Sequence, residues 1–197
     1  MSRFLESIAI KNGQIQRLSW HQRRVNETLQ FHYTGATIDL HAHIHSQAEQ
    51  QSGRVKCRVV YDREVTDVQF LPYMPRSIKT LKAIENNDIV YPFKFAERDE
   101  INRLFANRGD CDDILIVRNG LITDSSIANL AFRRADKWYT PRQPLLKGTM
   151  RAYLIENQLL TEADIRASDL TSFDAYKLIN ALLTFSSAEY PVSNINF

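Results

Sequence analysis

Residues 112–132, DDILIVRNGLITDSSIANLAF, constrain this chain more tightly than any other stretch. A β-branched apolar run at 114–117 meets Asn119-Gly120 and then a second apolar start at Leu121-Ile122. Asn-Gly tolerates positive φ at both central turn positions, so the pattern predicts two antiparallel strands joined by a tight turn. Thr123-Asp124-Ser125-Ser126 then sets one carboxylate and two hydroxyls at a strand end, before the chain turns apolar again through 128–132. A capped turn between strands accounts for such residues. So does a place where backbone approaches a ligand closely.

Bulk properties narrow the choice. The 197 residues are enough for one large or two small domains, 44% are hydrophobic, and the net charge is +2. So small a basic surplus gives no electrostatic case for nucleic acid. Cys57 and Cys111 have neither metal-type spacing nor a disulfide framework, which fits a reducing compartment. Arg3, Glu6 and Lys11 stand where a signal peptide would be apolar, and no apolar run approaches membrane-spanning length. The expectation is a cytoplasmic protein with no membrane partner.

In chain order, a weakly alternating strand at 3–10 meets a second Asn-Gly turn, Asn12-Gly13. Ser19 is the expected N-cap of a helix over 20–31 that contains His21-Gln22-Arg23-Arg24. A second helix is expected over 38–50. Of its His41, His43 and His45, only His41 and His45 share a face, and no carboxylate or cysteine stands beside them, so they read as a solvated face. Strands are expected at 55–61, 65–73 and 78–84. The polar run Glu85-Asn86-Asn87-Asp88 then marks the expected domain boundary, giving domains at 1–85 and 86–197 and an α+β class.

In the second half, Lys94 stands among aromatics in Tyr91-Pro92-Phe93-Lys94-Phe95, ahead of a helix expected over 97–107. It either lays its stem on the rings with its ammonium in water, or is a desolvated amine of lowered pKa, as Schiff-base lysines require. Gly148-Thr149-Met150-Arg151 opens a helix expected over 151–160. That is an anion-binding geometry, though ordinary capping uses the same residues. An apolar strand is expected to end in the hydroxyls Ser186 and Ser187. A lysine in an apolar setting, an acid at a strand end, clusters of N–H and hydroxyl donors, and a helix arginine together suit pyridoxal phosphate.

Five motifs in order carry a resemblance. They are His21-x-x-Arg24, Lys94 some eighteen residues before Asp112-Asp113, and Thr123-Asp124-x-x-x-x-Asn129. Thr140-Pro141 with Gly148-Thr149-Met150-Arg151 follows, then Ser186-Ser187-Ala188-Glu189 before Pro191-Val192. The chain resembles the class IV aminotransferase family, the fold type IV pyridoxal-phosphate enzymes, over nearly its whole length. The resemblance implies a two-domain D-amino acid aminotransferase-like fold and a homodimer acting on a small amino-acid-like substrate. It makes Lys94 the Schiff-base lysine and Asp124 the partner of the pyridine nitrogen. Arg24, Ser125, Ser126, Thr149, Met150, Ser186 and Ser187 become cofactor contacts.

Three departures from the family pattern stand out. Its glutamate is the shorter Asp124, its asparagine four residues after the lysine is Arg98, and its first domain is expected to be shortened here. Arg58 and Arg98 are the candidates for a substrate carboxylate, with an exposed strand arginine an equal reading of Arg58. Within the family the motif details, such as Ala128-Asn129-Leu130 and Met150, lean toward 4-amino-4-deoxychorismate lyase. An aminotransferase acting on branched-chain L- or D-amino acids is the alternative, and a catalytically silent cofactor-binding member a remoter one.

Overall fold

The protein is described here from a computed structural model covering residues 2–197. It folds into two compact units, each with its own sheet.

The first unit comprises the residues up to Pro75 together with Phe93–Glu97. Its antiparallel sheet has the order β2-β1-β3-β4, from β1 (Phe4–Lys11), β2 (Gln14–Ile15), β3 (Arg54–Tyr61) and β4 (Val65–Pro72). Strand β1 alternates strictly, with Phe4, Ile8 and Ile10 inward, and β3 matches it with Val55, Cys57, Val59 and Tyr61. The helices α1 (Leu18–His32) and α2 (Leu40–Ala48) cover that face with Val25, Leu29, Leu40 and Ile44. Helix α2 starts at Asp39, whose carboxylate accepts from the N–H groups of His41 and Ala42. Helix α1 begins earlier than expected, at Leu18, and Ser19 lies inside it. Its N-cap is Arg17 in the left-handed region at φ 50°, with no side-chain capping bond. On α2 the rings of His41 and His45 stack 4.3 Å apart, and no group of three metal-ligating side chains exists among the described residues.

The second unit comprises Arg76–Pro92 and Arg98–Phe197. Its strands are β5 (Leu81–Glu85), β6 (Asp113–Arg118), β7 (Leu121–Ser125), β8 (Asn129–Arg134), β9 (Lys137–Pro141) and β10 (Thr161–Ala163). They are completed by β11 (Ala175–Ile179), β12 (Tyr190–Pro191) and β13 (Ile195–Asn196). Neighbours run β10-β9-β8-β7-β6-β5-β13, while β11 pairs with β8 and β12. Helices α3 (Asp99–Ala106) and α4 (Thr149–Glu156) accompany it. The expected hairpin is β6–β7, with Asn119 at φ 52° and Gly120 at φ 73°. Among the described residues, no helix is long and apolar enough to cross a membrane.

Two expectations are corrected. The division between the units falls before Arg76, not at 85/86, because β5 pairs in parallel with β6 and so belongs to the second sheet. The polar run at 85–88 is a surface turn, whose Asn86 side chain accepts from the Asp88 and Ile89 N–H groups. The late strand is β11, upstream of the apolar residues at 182–185. Asn180 ends it, its side-chain oxygen accepting from the N–H groups of Leu182 (2.9 Å) and Leu183 (3.0 Å).

Candidate active site

Strand β1 carries a carboxylate on its inward face. Glu6 is fully buried and accepts Arg24 Nε at 2.8 Å, Arg24 Nη2 at 2.5 Å and His21 Nδ1 at 2.6 Å. Helix α1 places His21 and Arg24 three residues apart on one face, so both reach it. Burial alone would raise the Glu6 carboxyl, but the Arg24 guanidinium and the His21 bond outweigh it and hold it at about 2. Burial also lowers the pKa of His21, against the pull of Glu6. The paired bonds fix the plane of a guanidinium that keeps 12% of its side-chain surface exposed. Sequence reasoning gave a role to Arg24, named His21 only as part of the same motif, and gave no role to Glu6. The available signal was an acid at an inward position of an alternating strand.

Segment Phe93–Glu97 runs along β1. The Leu5 N–H donates to the Lys94 carbonyl (2.9 Å), the Ala96 N–H to the Arg3 carbonyl (2.8 Å), and Phe4 bridges Phe95. Phe95 N–H also closes onto the Phe93 carbonyl (2.9 Å), so half-buried Lys94 is the central residue of a γ-turn. The flanking rings anchor that turn, Phe93 against His32 (4.6 Å) and Phe31 (4.9 Å), and Phe95 against Phe4 (5.1 Å). Arg58, on β3, pairs with Asp67 at 3.3 Å.

In the second unit, Asp124 sits at the end of β7, 5% exposed and opposite Asn129. Its Oδ1 accepts from Asn129 Nδ2 (2.6 Å) and its Oδ2 from the Leu146 N–H (2.9 Å). Burial pushes its carboxyl up to about 6, although these two bonds and the charge of Arg151 oppose it. The Asn129 amide also donates to the Leu146 carbonyl (2.8 Å), so one side chain ties the acid to the loop entering α4. A Cβ on Gly148 would stand 2.1 Å from Asn129 Oδ1, so only glycine fits at this N-cap. Thr149 and Met150, both buried, form the first turn of α4, where backbone N–H groups have no partner within the helix. Arg151 bonds the Pro141 carbonyl (2.9 Å) and Glu162 (2.5 Å), which makes it a tie between α4 and the sheet.

The hydroxyls divide by role. Ser125 Oγ accepts from the N–H groups of Ile127 (3.3 Å) and Ala128 (3.1 Å), and so builds the turn that sets Asp124 against Asn129. The Ser126 carbonyl accepts from Arg98, whose side chain lines a small pocket with Arg76, Asn102 and Phe105. Thr184 and Ser186 pair with each other (2.9 Å), while Ser187 Oγ is buried with no hydrogen-bond partner.

These features suit pyridoxal phosphate. A buried acid held above its ordinary pKa is stabilised by a cationic ring nitrogen, and a buried hydroxyl without a hydrogen-bond partner and the N–H groups of a first helix turn can receive phosphate oxygens.

The chain matches the family described as amino-transferase class IV over residues 3–189. It is 38% identical over 180 residues to an uncharacterized protein of Haemophilus influenzae, covering 90% of this chain and 96% of that one. It is also similar to a crystal structure named as a candidate 4-amino-4-deoxychorismate lyase of Haemophilus somnus, with TM-score 0.87 and 34% identity, covering 92% of this chain and 97% of that one. A candidate aminodeoxychorismate lyase of Schizosaccharomyces pombe is 38% identical over 69 residues, 34% of this chain and 30% of that one. The fold is that of the fold type IV enzymes, and the chain belongs to the class IV aminotransferase family.

Proposed function

We propose that the protein is a pyridoxal-phosphate enzyme that converts 4-amino-4-deoxychorismate into 4-aminobenzoate and pyruvate. The cofactor rests on Asp124, an acid whose environment calls for a cation. The choice of reaction rests on the likeness to the Haemophilus somnus protein over nearly the full length of both chains.

Bound pyridoxal phosphate would supply an electron sink for the pair left when the proton on the amine-bearing ring carbon is removed. Asp124 would keep the pyridine nitrogen protonated. The family resemblance gives phosphate contacts to Arg24, which Glu6 orients, and to the first turn of α4 and Ser187. Lys94 would hold the cofactor, and its amine would take the proton from the amine-bearing carbon. Breaking the ring C–O bond aromatises the ring and expels the enol of pyruvate, whose methylene receives a proton. Atoms balance without an oxidant or a second substrate.

The test is a paired assay on one preparation. Supplied with aminodeoxychorismate and no keto acid, the enzyme should release 4-aminobenzoate and pyruvate in equal amounts. Conversion of the cofactor to its pyridoxamine form by branched-chain or D-amino acids, with no 4-aminobenzoate, would make it an aminotransferase. Borohydride reduction and peptide mass spectrometry should place the pyridoxyl group on Lys94, and its appearance on Lys79, Lys82 or Lys147 would refute that assignment. The proposal includes a homodimer, which sedimentation at micromolar concentration checks.

A further inference from the structure

Strand β11 is buried along its whole length, and one of its five residues is a lysine. Lys177 is 7% exposed. Its ammonium donates to the Phe185 carbonyl at 3.0 Å and lies 4.3 Å from the Trp138 ring centroid and 4.7 Å from that of Phe185. Burial lowers its pKa, with Glu189 pulling upward and Arg133 downward. An aliphatic side chain would fill the same slot without a buried charge to desolvate. The ammonium adds direction, because it grips Phe185 through main-chain carbonyl and ring face at once.

Phe185 lies within a short turn. The Ser187 N–H donates to the Thr184 carbonyl (2.9 Å), and just beyond it Glu189 pairs with Arg133 (3.4 Å). Inside this clamped turn the Ser187 hydroxyl is buried and has no hydrogen-bond partner. That is a costly arrangement unless an acceptor arrives. Phe185 and Trp138 pack on the same apolar cluster as Met150, in the first turn of α4. The lysine-held turn and the first turn of α4 therefore pack on one apolar cluster.

We propose that Lys177 is a positioning residue for the phosphate end of the cofactor, holding the turn at 184–187 so that the Ser187 hydroxyl meets a phosphate oxygen. The inference rests on the cofactor reading above. Its test compares two ligands of the full chain, pyridoxal 5′-phosphate and pyridoxal, which differ only in the group concerned. In Lys177→Met the affinity for pyridoxal phosphate should fall about tenfold while that for pyridoxal stays within about twofold, and Lys177→Arg should recover most of the loss. Ser187→Ala should show the same selective loss, and if Lys177→Met does not fold, Lys177→Gln, which keeps a donor toward the Phe185 carbonyl but no charge over the rings, should show a smaller selective loss. Equal losses for both ligands, or no loss for either, would reduce Lys177 to a packing residue. A wild-type protein that binds neither ligand would overturn the cofactor reading itself.

Discussion

Glu6 and Asp124 are both carboxylates buried on strands, one in each unit, and the protein treats them in opposite ways. Glu6 has a guanidinium bonded through two nitrogens and an imidazole on the same carboxylate, and its pKa is held at about 2. Asp124 has an amide and one backbone N–H but no cation in contact, and its pKa is pushed up to about 6. The Glu6 pair is complete and stabilises the fold. Its contribution is full above about 4.5, the pKa of a free glutamate, and is lost as pH falls toward about 2. For Asp124 the sign reverses. Its stabilising contribution is full below about 3.8 and lost as pH rises through about 6, so at neutral pH the fold bears the cost of an incompletely paired charge. One carboxylate is answered within the fold, and the other, in the function proposed above, would be answered by the cofactor.

Substitution separates the two most sharply. Asp124→Asn should lower turnover by about 10²–10⁴-fold, the range expected when proton control of the reacting system is lost. Its unfolding free energy should change little, by no more than about 1 kcal/mol. Glu6→Gln should do the reverse to stability, costing about 3–5 kcal/mol in urea unfolding at pH 7, because Arg24 is left without its counter-charge. The gap between Glu6→Gln and wild type should close as pH falls from about 4.5 toward 2, following the titration of the native pair. A Glu6→Gln protein of wild-type stability would dissolve the contrast.

Gly148→Ala probes how tightly Asp124 is held. The added methyl meets a side-chain amide already committed by bonds of 2.6 and 2.8 Å, so about 1–3 kcal/mol of stability should be lost, with weaker cofactor binding. The smallest expected effect is on cofactor affinity against pH. It should weaken below about pH 6, by at most about tenfold per unit, as Asp124 takes up a proton that a cationic ring nitrogen must displace. A flat titration between pH 5 and 7 would show that Asp124 does not face the charge assigned to it.

The Asn119-Gly120 hairpin and the alternation of β1 and β3 were legible because each depends on a local rule of period or φ, whereas the reason for glycine at 148, the Asn129 side chain, is not local. Glu6 escaped because its partners lie fifteen and eighteen residues away, and only packing α1 on β1 brings them together. The strand at 175–179 escaped for a different reason. It is short, carries a lysine, and pairs with β8 some forty residues earlier, a register no local pattern encodes. The hydroxyl of Ser125 illustrates the opposite hazard. It stands in the right motif, yet its oxygen accepts the turn's own N–H groups.

The return of Phe93–Glu97 to the first unit has a consequence for how the chain is made. The chain passes between the units three times, so the first unit is discontinuous in sequence. As the chain leaves the ribosome, that unit cannot be completed until residue 97 has emerged, by which time β5 of the second sheet already exists as sequence. Truncation after Pro75 would remove the segment that bonds to Arg3 and Leu5, together with the two rings that close the aromatic cluster over Phe4. Lys94 arrives on that same segment. Maturation of the first unit and delivery of the lysine are thus one event in synthesis.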